Sequence, residues 1–381
     1  MEVGQQKYST VAGWEKTGAS SGISGTIDLV LVFGSPDLIQ SPSLYDELRT
    51  KYPHSTILMN STAGEINDMT VSDNTLSLTA VSFESTTLRS ASVHILPGES
   101  SYDAGARLAL QLDPVELNNV LIISDGQHVN GSELVKGLYQ SLPKNIIISG
   151  GLAGDGVKFS KTLVGLNDVP SENCIAAIGF YGSNITVTCG TAGGWDPFGP
   201  ERLVTRSAGN VLYELDGKPA LDIYKTYLGE YAGQLPSAGL LFPLSIRNGK
   251  STSLVRTILG VNEEDKSLVF AGNIPEGYYA RLMKASLDRL IVGASQAAQE
   301  SLLQPGGTPP DLAILISCVG RKLVLDQRVE EEVEIIKSVY GNSTVLTGFY
   351  SYGEISPSFN SEGPELHNQT MTITTFTERP S

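Results

Sequence analysis

Thr347-Gly348-Phe349-Tyr350-Ser351-Tyr352-Gly353-Glu354-Ile355 decides how the chain reads, because weaker copies of its setting recur twice upstream. It follows Ser343-Thr344-Val345-Leu346, whose β-branched content suits a short buried strand, and the chain must turn at Gly353. Ser55-Thr56-Ile57-Leu58 leads in the same way into Asn60-Ser61-Thr62-Ala63-Gly64-Glu65-Ile66. The stretches after the two turns also match, since Asn74–Thr79 and Gln369–Thr374 both alternate polar and apolar residues at the strand period. A looser third copy runs from Asn145-Ile146-Ile147-Ile148 through Gly150–Gly156 to Cys174–Ile178, with Asp155 as the acid after its glycine.

Upstream, each copy offers an apolar strand and then an amphipathic helix. These are Leu29–Phe33 before Leu44–Leu48, Val120–Ile123 before Leu134–Leu142, and Leu312–Ile316 before Val329–Tyr340. The sequence therefore predicts an α/β fold of mixed sheets, built from repeated β-α-β-β units. A length of 381 residues exceeds one ordinary core, and the Gly-rich, aromatic stretch between Gly190 and Gly209 marks a boundary, giving domains at 1–200 and 201–381. Trp195 and Phe198 read as a packed connector at that boundary. Helices are expected over Ser9–Ala19 and over Ala280–Leu303, the latter ended by Pro305-Gly306-Gly307-Thr308-Pro309.

Charge and composition exclude some classes. With 26 basic and 41 acidic residues the net charge is −15, a surface that repels phosphate backbones and anionic lipid, so neither nucleic acid nor a membrane is expected as partner. No stretch approaches the roughly 18 apolar residues of a membrane span. Cys174, Cys189 and Cys318 are odd in number and lack C-x-x-C spacing; with no basic or apolar leader at Met1–Gln6, the expected place is the cytosol.

Asn60–Ile66 resembles the signature of the FIST N domain. The second half resembles the FIST C domain through Phe242-Pro243-Leu244, Val255-Arg256, Pro275-Glu276-Gly277, Ser317–Arg321, Gly348–Ile355 and Leu366-His367-Asn368-Gln369-Thr370. That resemblance implies a sensory module of signal transduction, found alone or fused to histidine kinases, cyclic-dinucleotide enzymes and chemoreceptors, that binds small ligands such as amino acids. It also implies the alternative of a haem-binding nitric oxide sensor, and it brings no catalytic residues. No kinase motif or output domain follows the second half, so the expected output partner is a separate protein such as a histidine kinase.

The chemistry reads motif by motif. Gly151-Leu152-Ala153-Gly154-Asp155-Gly156 lacks the G-x-G-x-x-G spacing and the following helix that a dinucleotide needs. Gly348–Gly353 misses the nucleophile elbow by one residue, leaving Ser351 as a hydrogen-bond donor. His54, His94, His128 and His367 show no metal-ligand spacing, and the sequence does not say which of them a haem would take. No converging acid and base are evident, so an enzyme acting on a small metabolite is the rival and not the expectation.

The Gly-Glu turns carry two readings. In one, Gly64 and Gly353 make tight turns and Glu65 and Glu354 cap backbone N–H groups. In the other, the turns face a ligand, Ser61, Thr62, Ser351 and Tyr352 offering hydroxyls, Phe349 an apolar wall, and Glu65 and Glu354 meeting an ammonium. Arg256 or Arg321 would then clamp the ligand carboxylate, or pair with Glu354 instead.

Overall fold

The computed structural model describes residues 1–17, 23–249, 253–303, 309–357 and 363–379. A hairpin of β1 (Glu2–Ser9) and β2 (Gly13–Thr17) replaces the helix expected over Ser9–Ala19; residues 18–22 lie outside the described ones. Gly13, at φ 73°, permits the turn, and the Tyr8 and Trp14 rings, 5.3 Å apart, form its cross-strand pair.

The first unit comprises β3 (Leu29–Gly34), α1 (Pro36–Ile39), α2 (Pro42–Lys51), β4 (Thr56–Ser61), the short strands β5 (Glu65–Asn67) and β6 (Thr70–Ser72), and β7 (Leu76–Ser82). After β8 (Thr87–His94) and α3 (Ser101–Ala109) comes the second unit: β9 (Leu117–Ser124), α4 (Gly131–Ser141), β10 (Ile147–Leu152), β11 (Val164–Leu166) and β12 (Cys174–Tyr181). Then β13 (Ile185–Ala192) leads into an inserted module of β14 (Trp195–Ala208), β15 (Val211–Leu215), β16 (Lys218–Pro219), α5 (Ala220–Leu228), β17 (Leu244–Arg247), β18 (Leu254–Arg256), β19 (Ile258–Asn262), β20 (Ser267–Phe270) and β21 (Tyr279–Ala285). Finally α6 (Leu287–Leu302) precedes the third unit: β22 (Leu312–Cys318), α7 (Val319–Leu325), α8 (Val329–Tyr340), β23 (Val345–Ser351), β24 (Gly353–Pro357), β25 (Pro364–His367) and β26 (Met371–Glu378). The helix expected from Ala280 begins only at Leu287, since Tyr279–Ala285 is the strand between β14 and β17 in the inserted sheet; Gln304–Thr308 lie outside the described residues.

Each unit lays down the same core ladder. The first strand pairs parallel with the strand after the helix and antiparallel with the last: β4-β3-β7, β10-β9-β12 and β23-β22-β26. Between the second and last core strands the chain sends out an arm, and each arm adds to another unit's sheet. The first unit's β5–β6 extends β23, the third unit's β24–β25 extends β10, and the second unit's β11 extends β4. Ladder hydrogen bonds thus close a three-way exchange. Residue 200 lies inside β14, and β5, β6 and β13 from before it share a sheet with β22, β23 and β26 from after it.

Strand alternation explains the layering. Leu29, Leu31 and Phe33 meet Leu121, Ile123, Ile178, Ile314, Ile316 and Phe349 in one core to which all three sheets contribute, while Val30 and Val32 point the other way, onto Leu44 and Leu48 of α2. The outer faces of the second and third sheets carry α4, α6 and α8. The inserted module has its own core, including Leu212, Leu221, Tyr224, Ile258 and Phe270. Trp195 anchors its entry, buried against Met283, Leu290 and Leu325 with Nε1 donating to Gln369 O at 2.9 Å, whereas Phe198 is half exposed.

Gly150 and Gly348 occupy matching positions, paired with Ile122 and Leu315, at φ 148° and 159°. A Cβ on either would sit 1.8 Å from the partner's carbonyl oxygen. Gly150→Ala should therefore cost about 3 kcal/mol of stability in urea unfolding, a loss of the size that buried backbone clashes produce. A loss below about 1 kcal/mol would show that the ladder shifts freely there.

Candidate functional site

The repeated turns are internal braces, and this corrects the ligand-facing reading of them. Glu65 is buried at the first residue of its arm; Thr62 Oγ1 donates to its Oε1 at 2.6 Å, and Thr75 donates to Oε2 from N at 3.1 Å and Oγ1 at 2.7 Å. Glu354 repeats this: Ser351 Oγ donates to Oε1 at 2.7 Å, and Thr370 to Oε2 from N at 3.1 Å and Oγ1 at 2.9 Å. Each carboxylate ties the departing arm to the residue just before its own unit's last core strand. Ser61 Oγ accepts from Leu163 N at 2.8 Å, and Phe349 packs on Phe33 with rings 5.0 Å apart. Tyr352 donates its hydroxyl to Asp155 and stacks on Phe159 at 4.5 Å.

Ladder register corrects the third copy. Glu65 pairs with Phe349 and Glu354 with Gly151, each one residue past the matching glycine; the second unit places Val164 opposite Asn60 there. Asp155 instead sits in a longer turn, accepting from the backbone of Phe159, Ser160 and Lys161. The second unit's brace comes from Asp125, just past β9, which accepts from Asn173 N at 2.6 Å and Thr162 Oγ1 at 2.8 Å.

Neither arginine pairs with Glu354. Arg321 is fully buried on Glu332, with Nε and Nη2 at 3.1 and 2.8 Å from Oε2, while Ser317 and Tyr350 donate to Oε1. Arg256 differs: it is buried, and among the described residues its acceptors are backbone carbonyls, Leu366 O at 2.9 Å, Asn273 O at 3.2 Å and Val255 O at 3.4 Å. Burial lowers its guanidinium to about 10, and Glu365 is the carboxylate whose charge supports it.

Arg256 lines a cleft of about 330 Å³ between the inserted module and the second and third units. One wall is a face of α4, with Ser132, Val135, Lys136 and Tyr139 at helical spacing; the module supplies Ile246, Asn273 and Tyr278, and β25 supplies Glu365 and Leu366. Asn273 crosses the seam, accepting from Asn130 Nδ2 at 2.9 Å and donating to Glu133 Oε1 at 2.7 Å. Two other spaces fit a ligand less well. The void beneath Tyr227 in the module is about 20 Å³, room for a water, and the groove of about 270 Å³ at Glu116, Asn118 and Asn145 has no cationic lining. Sequence reasoning found Arg256 but missed Asn273, Tyr278 and the α4 face, because they converge only when the module folds back onto the second unit.

Among the described residues, no histidine lines the cleft. His94 meets Ser171 Oγ at 2.9 Å, His128 meets Asp125, and His367 is buried, its imidazole pushed down to about 4 by desolvation and by Arg256. Among the described residues, no group of three or more His, Cys, Asp or Glu could hold a metal, and no helix is long and apolar enough to cross a membrane.

Comparison with known proteins places this geometry. The FIST N domain model matches residues 28–218 and the FIST C domain model residues 220–357. The chain belongs to the FIST family. FIST domains are sensory domains of signal-transduction proteins, and small-ligand binding is their general property. An uncharacterized protein of Methanocaldococcus jannaschii is 26% identical over 209 residues, 50% of this FIST chain and 39% of that relative, so the match spans well under half of the relative's length. The crystal structure of a cyanuric acid hydrolase from A. caulinodans aligns over 100% of this chain and 99% of its own, at 9% identity and a TM-score of 0.35, a likeness that decides neither fold nor activity.

The braces make stability pH-dependent. Desolvation pushes Glu65 up to about 7 and Glu354 up to about 8, from an ordinary 4.5, against the hydrogen bonds that favour the charged form. The folded chain then holds these protons more tightly than the unfolded one, so the stabilisation is whole below pH 4.5 and is lost as pH rises through 7 and 8. Between about pH 5 and pH 8.5, Glu354→Gln should show a smaller fall in Tm than wild type. Parallel pH profiles for the two proteins would contradict that role.

Proposed function

We propose that this FIST protein is a non-enzymatic, cytosolic sensor that reversibly binds a small carboxylate-bearing metabolite, such as an amino acid, in the cleft at Arg256. Its state is read by a separate output protein, for which a histidine kinase is the model. The observation that carries this reading is Arg256 itself. Among the described residues this buried guanidinium is held by carbonyl oxygens alone, so it has lost its water without gaining a full counter-charge, a cost of several kcal/mol that a ligand carboxylate offsets. Apolar and aromatic walls with a few fixed polar groups are what a small-molecule pocket requires, and the volume lies at the small end of such sites.

A route to output runs through Asn273. Its carbonyl holds Arg256, and its side chain bonds to the first turn of α4, so a ligand drawn onto the guanidinium acts on the seam between module and core. Glu354, by contrast, is assigned to the fold and not to the ligand.

A thermal-shift screen of amino acids and small carboxylates tests the reading, since a ligand bound only by the folded form raises Tm. Arg256→Gln should weaken the best hit by roughly 10- to 100-fold, the usual value of a charge-assisted hydrogen bond. No hit in the screen, or unchanged affinity in Arg256→Gln, would overturn it.

A further inference from the structure

We infer that the ligand of this cleft carries two carboxylates, one for Arg256 on the module side and one for Lys136 on the α4 side. This rests on the proposal that a carboxylate lodges on Arg256 and specifies the rest of the molecule. In a chain of net charge −15, the cleft inverts the local balance, with Arg256 and Lys136 lining it, among the described residues, against one acid, Glu365. Glu133, the nearby acid on α4, is turned to Asn273 Nδ2 at 2.7 Å and is not part of the lining. Lys144 adds a further cation beside the cleft, its Nζ 3.8 Å from the centre of the Tyr139 ring.

The two lining cations stand on opposite sides of the seam. Arg256 ends β18 of the inserted module, whereas Lys136 is exposed on α4, one turn past Ser132 on the same face. A monocarboxylate satisfies Arg256 and leaves Lys136 to solvent. A molecule with two acid groups a few atoms apart bridges both, and so has a different affinity for the closed and the open seam, which a sensor's ligand must have. An acidic amino acid and a plain dicarboxylate share this chemistry. Lys136 is solvated, so its contribution is modest and salt-sensitive.

The test uses the full chain and calorimetric titration with L-glutamate, glutarate and L-glutamine, at low and at physiological salt, on wild type and Lys136→Gln. Expected for wild type at low salt is binding of glutamate or glutarate roughly two- to fivefold tighter than glutamine, a gap that narrows with salt. In Lys136→Gln, an exposed substitution that leaves folding intact, the gap closes. Glutamate above glutarate identifies the amino acid, and the reverse identifies the plain dicarboxylate. Glutamine bound as tightly as glutamate by wild type, or a preference that survives Lys136→Gln, overturns the second anchor and leaves the Arg256 reading standing. No binding of any of the three, with no hit among other carboxylates, overturns both.

Discussion

The structure depends on carboxylates buried where an arm leaves its own sheet. A strand that departs to pair with another unit would fray at its root, because its ladder hydrogen bonds are made elsewhere. Glu65 and Glu354 prevent this by joining the departing arm to Thr75 and Thr370, which immediately precede the strands that stay behind. Burying an acid is costly, and the raised values of about 7 and 8 measure that cost. Three short donors on each carboxylate offset part of it. Asp125 does the same from another strand end, so the unit with the longest turn keeps a brace although its sequence no longer spells one.

This constraint also explains where a ligand can be held. The turns that look most chemical in the sequence are the ones the fold has consumed, and their hydroxyls and carboxylates are engaged with each other. Polar groups with spare capacity lie where the inserted module meets the three-unit body, a junction that ladder pairing does not dictate. There Arg256 bonds to carbonyls on both sides, Asn273 from its own module and Leu366 from β25. Apart from the Trp195 anchor, the seam beside α4 is joined by side-chain and carbonyl contacts around an open cleft and not by ladder pairing, the kind of contact that a switching element can remake.

Much of the fold was legible because strand and helix periods are local. Leu29–Phe33, Val120–Ile123 and Leu312–Ile316 announce core strands by apolar continuity, and the helices after them follow. What no single stretch states is the partner of each arm: Glu65-Ile66-Asn67 reads as a strand, but only the assembled sheet pairs it with Phe349, Gly348 and Thr347. The same limit misled the reading of Asp155, which follows a glycine as Glu65 and Glu354 do yet lies outside the matching register. The helix is expected from Ala280, inside the strand Tyr279–Ala285, because the true helix at Leu287 follows almost at once, and a strand buried on part of its length gives little alternation to detect. The candidate site was the least legible, since Arg256, Asn273, Lys136 and Leu366 come from four separate segments.

The contrast between the two buried arginines ties these threads together. Arg321 is also fully buried, yet Glu332 neutralises it, and Ser317 and Tyr350 complete the acceptor's shell; removing either partner would strand a charge, so that pair serves the fold. Among the described residues, Arg256 has carbonyls at 2.9 to 3.4 Å and only the longer-range field of Glu365. Partial negative charges hold the guanidinium in place without discharging it, which keeps it oriented and still attractive to an anion. A full internal counter-ion would compete with any ligand, and an unsupported charge would drag water into the seam. The arrangement between these extremes suits the proposed site, since it lets the free energy of one added carboxylate act at the seam between module and core.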